Sequence, residues 1–246
     1  GLQHVLCAAE SSDKITLYGD YLYADIAGIT SEASASARTL LRDPSAWYHL
    51  VLAVDTTQGT STDRIKWYLN GSQLTTMTAV FPSLNADSAF NNNTAQRIGT
   101  NPSPGYYHDG YISEFHMVDG TALDQTSFGE TGDYGEWKPI TYEGTYGTNG
   151  YYLAFGNPYT AHSINAVGNT QHSTAEQKIG TSSLYFPKTS ANINTQNYIT
   201  IGDDATWDYG TGDFTWEMWV NVTAIDRQMK IFGSEGWSDG GAYDWI

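Results

Sequence analysis

Apolar and polar residues alternate over 214–220, directly after a glycine-rich turn at 210–212. Four apolar side chains fall on one face of this segment: Phe214, Trp216, Met218 and Val220. The opposite face carries Thr215, Glu217 and Trp219. A period of two residues with aromatic and β-branched side chains is typical of a half-buried β-strand. The pattern therefore predicts a strand whose apolar face belongs to the core.

Other segments repeat the same kind of signal. Residues 47–55 are nearly all apolar, which predicts a central strand covered on both faces. Residues 65–69 alternate and are followed by Asn70-Gly71, the pair that favours a type I′ hairpin turn. Residues 111–118 predict a further long strand, and no segment keeps a helical stripe over three turns. We therefore predict an all-β chain folded as an antiparallel β-sandwich or jelly roll.

Charge and composition exclude several classes of partner. The 246 residues carry a formal net charge of −16, and such a surface repels nucleic-acid phosphates. No apolar run approaches the ~20 residues of a membrane span, so neither nucleic acid nor a membrane is an expected partner. Cys7 is the only cysteine, and its apolar neighbours predict a small buried side chain rather than a reactive thiol.

Three short apolar segments lie late in the chain, at 179–186, 198–201 and 212–220, the last reading Gly-Asp-Phe-Thr-Trp-Glu-Met-Trp-Val. They resemble the opening strands of laminin-G-like, concanavalin A-like lectin and glucanase domains. Residues 47–71 resemble the middle of the same domain, and residues 111–123 resemble its late strand. The resemblance implies a concanavalin A-like jelly roll.

The order of these matches is unusual, because the middle and end of a domain precede its beginning. We expect residues 1–155 to be the middle and C-terminal part of one sandwich, and 156–178 a linker or opening loop. Residues 179–246 would then be the N-terminal strands of a second, incomplete sandwich. Residues 228–235 also align with residues 3–10, as expected for one period of a tandem array. One circularly permuted domain is the alternative.

A narrower resemblance concerns the run from Asp43 to Gln58, together with residues 119–123, 127–130, 137–139 and 147–153. These segments are similar to laminin-G-like domains of bacteriophage structural proteins, including tail fibres and other virion appendages. This implies a non-enzymatic module of a fibre, tail or capsid decoration, at the virion surface or otherwise extracellular. Its partners would be other virion proteins, copies of itself and a host-surface glycan.

Catalytic chemistry is not predicted. Related glucanases place carboxylates at positions i, i+2 and i+4 of one strand, and the best match here is Glu114, His116 and Val118, which lacks two of the three acids. Glu217 has Thr215 and Trp219 as its same-face neighbours, so both glutamates are expected to be solvated strand carboxylates. No metalloprotease, nucleophile-elbow or phosphate-loop motif is present. A glycoside hydrolase is therefore the weakest of the functional alternatives.

Glycan binding by this fold would require aromatic platforms beside hydrogen-bonding side chains. Two loop clusters offer this combination: Tyr106, Tyr107 and Asp109, and Trp237 with Asp239. Packing in the core or at its rim is the alternative for these aromatic residues. If the clusters bind glycans, a secreted or cell-surface lectin or adhesin becomes the competing function. No cofactor is predicted, and calcium is left open because no motif supports it.

Overall fold

The computed structural model of the chain describes residues 5–8, 13–18, 21–26, 29–33, 41, 43, 45–75, 77–91, 95–100, 107–155, 164–178, 182–187, 197–201, 213–223 and 229–235. The strands in these residues are β1 Val5–Ala8, β2 Lys14–Tyr18, β3 Tyr21–Ile26, β4 Ile29–Ala33, β5 Trp47–Val54, β6 Ile65–Leu69, β7 Ser72–Gln73, β8 Met77–Ala79, β9 Ala95–Ile98, β10 Gly110–Asp119, β11 Gly129–Thr131, β12 Trp137–Pro139, β13 Tyr151–Leu153, β14 Ile164–Val167, β15 Gln171–Ser173, β16 Ser183–Phe186, β17 Tyr198–Ile201, β18 Phe214–Val222 and β19 Met229–Glu235. Short 3-10 turns at Ser61–Asp63, Ala89–Asn91 and Gln125–Ser127 are the helical pieces of this described part.

The strands form two large sheets and one small hairpin. The nine-stranded sheet has the order β14-β17-β9-β1-β19-β2-β3-β4-β8. The eight-stranded sheet has the order β15-β16-β10-β18-β5-β6-β7, with β13 also paired to β10. Strands β11 and β12 pair separately as an antiparallel hairpin. Apart from the parallel pair of β1 and β19, the strand pairs described are antiparallel.

The predicted all-β class and antiparallel sandwich are confirmed. Buried side chains of β2 and β3 in one sheet share a single core with those of β5, β10 and β18 in the other. Asn70 and Gly71 have positive φ angles of 46° and 81°, as the predicted hairpin turn between β6 and β7 requires. No helix among the described residues is long and apolar enough to cross a membrane.

Strand β18 occupies the middle of the eight-stranded sheet. It pairs antiparallel with β5 on one side, where Trp216 lies opposite Leu52, and with β10 on the other, where Trp216 lies opposite Met117. The four residues predicted to face the core do so, each at most 2% exposed: Phe214, Trp216, Met218 and Val220. The prediction that β18 is only half-buried is wrong, because Glu217 and Trp219 on its other face are also buried.

The pairing of β18 joins distant parts of the chain. In the division predicted from the sequence, β18 belongs to 179–246, whereas β5 and β10 belong to 1–155. The centre of the eight-stranded sheet is therefore assembled from both predicted segments. This is the pairing that a circularly permuted domain requires, and the boundaries at 155 and 178 stay a prediction.

Replacing Trp216 tests the central position of β18. The indole is 0% exposed and packs edge-to-face on Phe90, Phe115 and Tyr151. We expect Trp216→Ala to lower the free energy of unfolding by about 3–5 kcal/mol, because it leaves a cavity between the sheets. Tyr134→Ala, at an aromatic residue that is 96% exposed, is the control and should change it by less than about 0.5 kcal/mol. Urea titrations measure both, and equal losses would show that β18 does not anchor the core.

Candidate functional site

The face of the eight-stranded sheet that points away from the shared core, here called the outer face, is covered by residues 121–146. A second apolar cluster forms there between Val51, Ala53, Tyr68, Val118 and Phe128, with Leu123, Tyr142 and Tyr146 packed on it. Thr215 ties this cover to β18, since its hydroxyl donates to the Thr121 carbonyl and accepts from the Leu123 amide. The polar residues of the outer face are thereby enclosed rather than solvated.

Trp137 of the β11–β12 hairpin closes the cover over one end of the outer face. Its ring lies against Gly71 and Gly129, where any side chain would collide with it. Gly71 is therefore required twice, once for the positive φ angle of the turn and once for this close approach. The indole stacks near His49 of β5 at a centroid distance of 5.9 Å.

A β-bulge in β10 positions the acids and histidines of the outer face. The register with β18 shifts between Ser113 and His116, and Glu114 at the bulge has a positive φ of 53°. The extra residue places Phe115 in the core and returns His116 to the outer face beside Glu114. Simple alternation would instead have required Glu114 and His116 to share their face with Ile112, which lies in the core.

Glu217 lies between two histidines at the centre of the outer face. Its Oε1 is 2.7 Å from Nε2 of His49, and its Oε2 is 3.4 Å from Nε2 of His116. The side chain is 1% exposed and that of His49 is 0% exposed. The prediction that Glu217 is a solvated, isolated carboxylate is therefore wrong. The sequence pattern contained no sign of this pairing, because the two histidines come from other strands, β5 and β10.

The hydrogen-bond partners define the tautomer of His49. Trp137 Nε1 donates to His49 Nδ1 over 2.8 Å. An indole N–H can only donate, so Nδ1 of His49 must be unprotonated. In a neutral imidazole the proton then resides on Nε2, which faces Glu217 Oε1. His116 continues the series, because its Nδ1 lies 2.8 Å from the hydroxyl of Tyr146.

The buried position of these groups favours their neutral forms. Burial lowers the pKa of His49 to about 3, and burial together with the nearby His49 lowers the pKa of His116 to about 3. Burial, and to a lesser degree the charge of Glu114, raises the pKa of Glu217 well above 4.5. An ionised Glu217 between two neutral histidines would be a buried, uncompensated charge, which is strongly unfavourable. Burial therefore favours the protonated, neutral form of the Glu217 carboxyl group beside the two neutral histidines.

Glu114 and Tyr152 form the end of this network that reaches solvent. The Tyr152 hydroxyl donates to Glu114 Oε2, and the Tyr152 ring stacks on His116 at 4.4 Å. Burial raises the pKa of Glu114, while the hydrogen bond from Tyr152 acts in the opposite direction. Glu114 is 8% exposed, so the prediction of a solvated carboxylate is wrong for this residue too. Tyr152, at 37% exposed, is the part of the pair that water reaches.

This arrangement joins the covering segment to the sheet. A series of groups from Trp137 through His49, Glu217 and His116 to Tyr146 links the cover to three strands. No group of three or more His, Cys, Asp or Glu side chains within the described residues has an arrangement that could hold a metal ion.

Only two of the five residues predicted to bind glycans are among the described residues. Asp109 is 2% exposed and accepts a hydrogen bond from the Thr223 hydroxyl at 2.8 Å, so its carboxylate is turned into the protein. Tyr107 is half-buried. Tyr106, Trp237 and Asp239 lie outside the described residues. Their role in glycan binding stays a prediction.

A separate acidic cleft, which the sequence reasoning missed, opens beside the covering segment. It has a volume of about 280 Å³ and is lined by Ala53, Asp55, Gln58, Asp63, Lys66, Tyr68, Ala122 and Asp124. Its polar groups come from the ends of β5 and β6 and from the loop after β10. Two features of the sequence could have indicated this cleft. Asp55 comes directly after the buried strand β5, and Asp63 and Lys66 lie just before and within the first residues of the neighbouring strand β6.

Comparison with known proteins found no matching family model, no matching curated protein and no matching solved structure.

A substitution at Glu217 tests the neutral network. Because burial favours a protonated Glu217, Glu217→Gln preserves both its shape and its charge, and the variant should be as stable as the parent at pH 7 or more stable. The pKa of Glu217 is raised in the folded state above its ordinary value of 4.5. The parent therefore loses about 1.4 kcal/mol of folding free energy for each pH unit above 4.5, until the folded-state pKa is reached. Glutamine does not titrate, so the variant does not have this loss. The stability of the variant relative to the parent should therefore increase from pH 4.5 upward.

Urea unfolding of the Glu217→Gln variant and its parent between pH 4.5 and 8 provides the measurement. Glu130→Gln is the matched control, at an exposed carboxylate paired with Lys138 over 3.0 Å, and it should have little effect. A loss of about 3–5 kcal/mol in Glu217→Gln at pH 7 would instead indicate an ionised carboxylate paired with a charged histidine, and the neutral assignment would then be wrong.

Proposed function

We propose that this chain is a non-enzymatic β-sandwich module of a phage virion appendage, in a fibre, tail or capsid decoration. The virion context is supported by the resemblance of residues 43–58, 119–123, 127–130, 137–139 and 147–153 to laminin-G-like domains of phage structural proteins. Its partners are other virion proteins or copies of itself, and its location is the virion surface. The concanavalin A-like jelly roll and the tandem or permuted arrangement belong to the same proposal.

The non-enzymatic part of the proposal is carried by the closure of the outer face over Glu217. A retaining glycosidase of the glucanase type needs two carboxyl groups that flank the bound sugar about 5–5.5 Å apart. Here one acid is 1% exposed beneath the segment that carries Trp137 and Tyr146, and its carboxyl group lies between two histidines. Only Glu114, through Tyr152, borders the solvent. A polysaccharide would have to displace the cover before it could reach both acids.

A comparison of hydrolysis tests this part. We expect the purified chain and its Glu114→Gln variant to release reducing ends from a soluble β-glucan at the same rate as buffer. The physical reason is that Glu217 cannot contact a sugar in the folded chain. Turnover by the parent that disappears in Glu114→Gln would contradict the proposal and favour a glycoside hydrolase.

The location can be tested independently, with an antibody against this chain applied to purified virions. Labelling of an appendage at symmetry-related positions would support a structural role. Recovery of the protein only as a free monomer outside particles would contradict it.

A lectin or adhesin is the second candidate, and the acidic cleft is the observation that favours it. The cleft combines carboxylates, the amide of Gln58, the amine of Lys66 and the edge of Tyr68, which is a set of donors and acceptors suited to sugar hydroxyls. Its volume of about 280 Å³ is close to the lower end of typical ligand pockets. A terminal sugar of a surface glycan is the ligand that it would accept.

Glycan-array binding distinguishes this candidate. If the cleft binds sugars, Lys66→Ala should weaken binding at least about tenfold, since a buried sugar contact to a charged group contributes roughly 1.5–3 kcal/mol. Lys138→Ala is the matched control, because Lys138 is also a surface lysine in an ion pair. Binding that is unchanged in Lys66→Ala but lost in Tyr107→Ala would place the site at the loop cluster of Tyr106, Tyr107 and Asp109. If no glycan binds, the lectin candidate is wrong and the structural role is the one that stays.

A further inference from the structure

Three strands are in register with β9, although a strand has only two edges. Strand β17 pairs with β9 on one edge. Both β1 and β19 pair antiparallel with β9 as well. Since each edge of a strand forms one ladder, β1 and β19 must share the edge that β17 leaves.

The register of the two strands on β9 is the same residue by residue. Ile98 lies opposite both Leu6 and Phe232, Arg97 opposite both Cys7 and Gly233, and Gln96 opposite both Ala8 and Ser234. Strands β1 and β19 also run parallel to each other, with Val5 matched to Ile231. Every one of these matches has an offset of 226 residues. Strands β1 and β19 are therefore equivalent with respect to the rest of the sheet.

The amino-acid sequences agree with this equivalence. Val-Leu-Cys-Ala in β1 corresponds to Ile-Phe-Gly-Ser at 231–234, which in both cases is a β-branched residue, a large apolar residue and two small ones. The alignment of 228–235 with 3–10 predicted from sequence is wrong by one residue, because its offset is 225. The offset of 226 also matches Ser12-Asp13 with Ser238-Asp239.

We propose that β1 and β19 are two copies of one strand of this fold and alternative occupants of the position beside β9. The strand that is not seated in its own chain pairs with β9 of a second copy of this protein. We assign the partner as a second copy because β1 and β19 of this chain both match β9 residue by residue. The inference uses only strand register, so it stands whether or not the chain belongs to a virion.

Whichever of β1 and β19 is displaced from β9 is expected to pair with another chain. An unpaired strand presents a row of free N–H and C=O groups that readily pair with another chain. Exchange of identical elements between protomers is a low-cost route to assembly. Pairing within one chain has an effective concentration in the millimolar range. Pairing between copies is therefore expected to grow with protein concentration, as on a crowded particle.

Proline substitutions in the full-length chain test whether the two strands replace each other. Proline cannot donate to the ladder, so Cys7→Pro disables β1 and Gly233→Pro disables β19 at the equivalent position. We expect each single variant to lower Tm by less than about 4 °C, because the other strand takes the position. The double variant should lower Tm by clearly more than the sum of the two. Additive effects, or one single variant as destabilised as the double, would overturn the proposal.

Disulfide trapping tests the exchange between copies. Cys7 is the only native cysteine, so Arg97→Cys creates one cross-strand pair with β1. The triple variant Cys7→Ser, Arg97→Cys and Gly233→Cys creates the corresponding pair with β19. Both should form disulfides on oxidation, and the share of covalent dimers and longer products on non-reducing gels should rise with protein concentration. Cross-linking by only one of the two strands, or products confined to single chains at all concentrations, would refute the exchange.

Discussion

The insertion of β18 between β5 and β10 is the interaction on which the rest of this structure depends. Eight of its nine residues pair with β5 and eight pair with β10, and the strand is buried over its whole length. Its core face supplies Trp216 to the space between the sheets, where edge-to-face contacts with Phe90 and Phe115 fill the volume. Its other face supplies Thr215 and Glu217, which hold the segment that covers the sheet. One strand thus organises both layers.

The burial of Glu217 has a consequence for function. Each oxygen of its carboxyl group lies near a histidine, and the donor-only indole of Trp137 orients His49 from the other side of the imidazole ring. A glycosidase that uses two carboxyl groups needs both of them to reach the bound sugar, whereas Glu217 is 1% exposed. This enclosure of Glu217 supports the structural role that we propose for the chain.

The shared position of β1 and β19 connects the fold with the repeat that the sequence suggested. Two strands separated by 226 residues present the same backbone register to β9. In a tandem array each period would fill this position with its own strand, and in a single chain two strands compete for it. The domain prediction and the strand exchange are therefore two descriptions of the same duplicated element. The boundary residues of the period stay a prediction.

The amino-acid sequence by itself determined several local features: the strands at 47–55, 65–69, 111–118 and 214–220, the Asn70-Gly71 turn, and the side chains of β18 that enter the core. These depend on alternation and backbone preferences that act within a few residues. Only the tertiary structure decided that both faces of β18 are buried and that His49 and His116 reach Glu217, since these residues come from three different strands. The bulge at Glu114 likewise broke the simple alternation. Long-range strand pairing sets those neighbours, and no local pattern contains them.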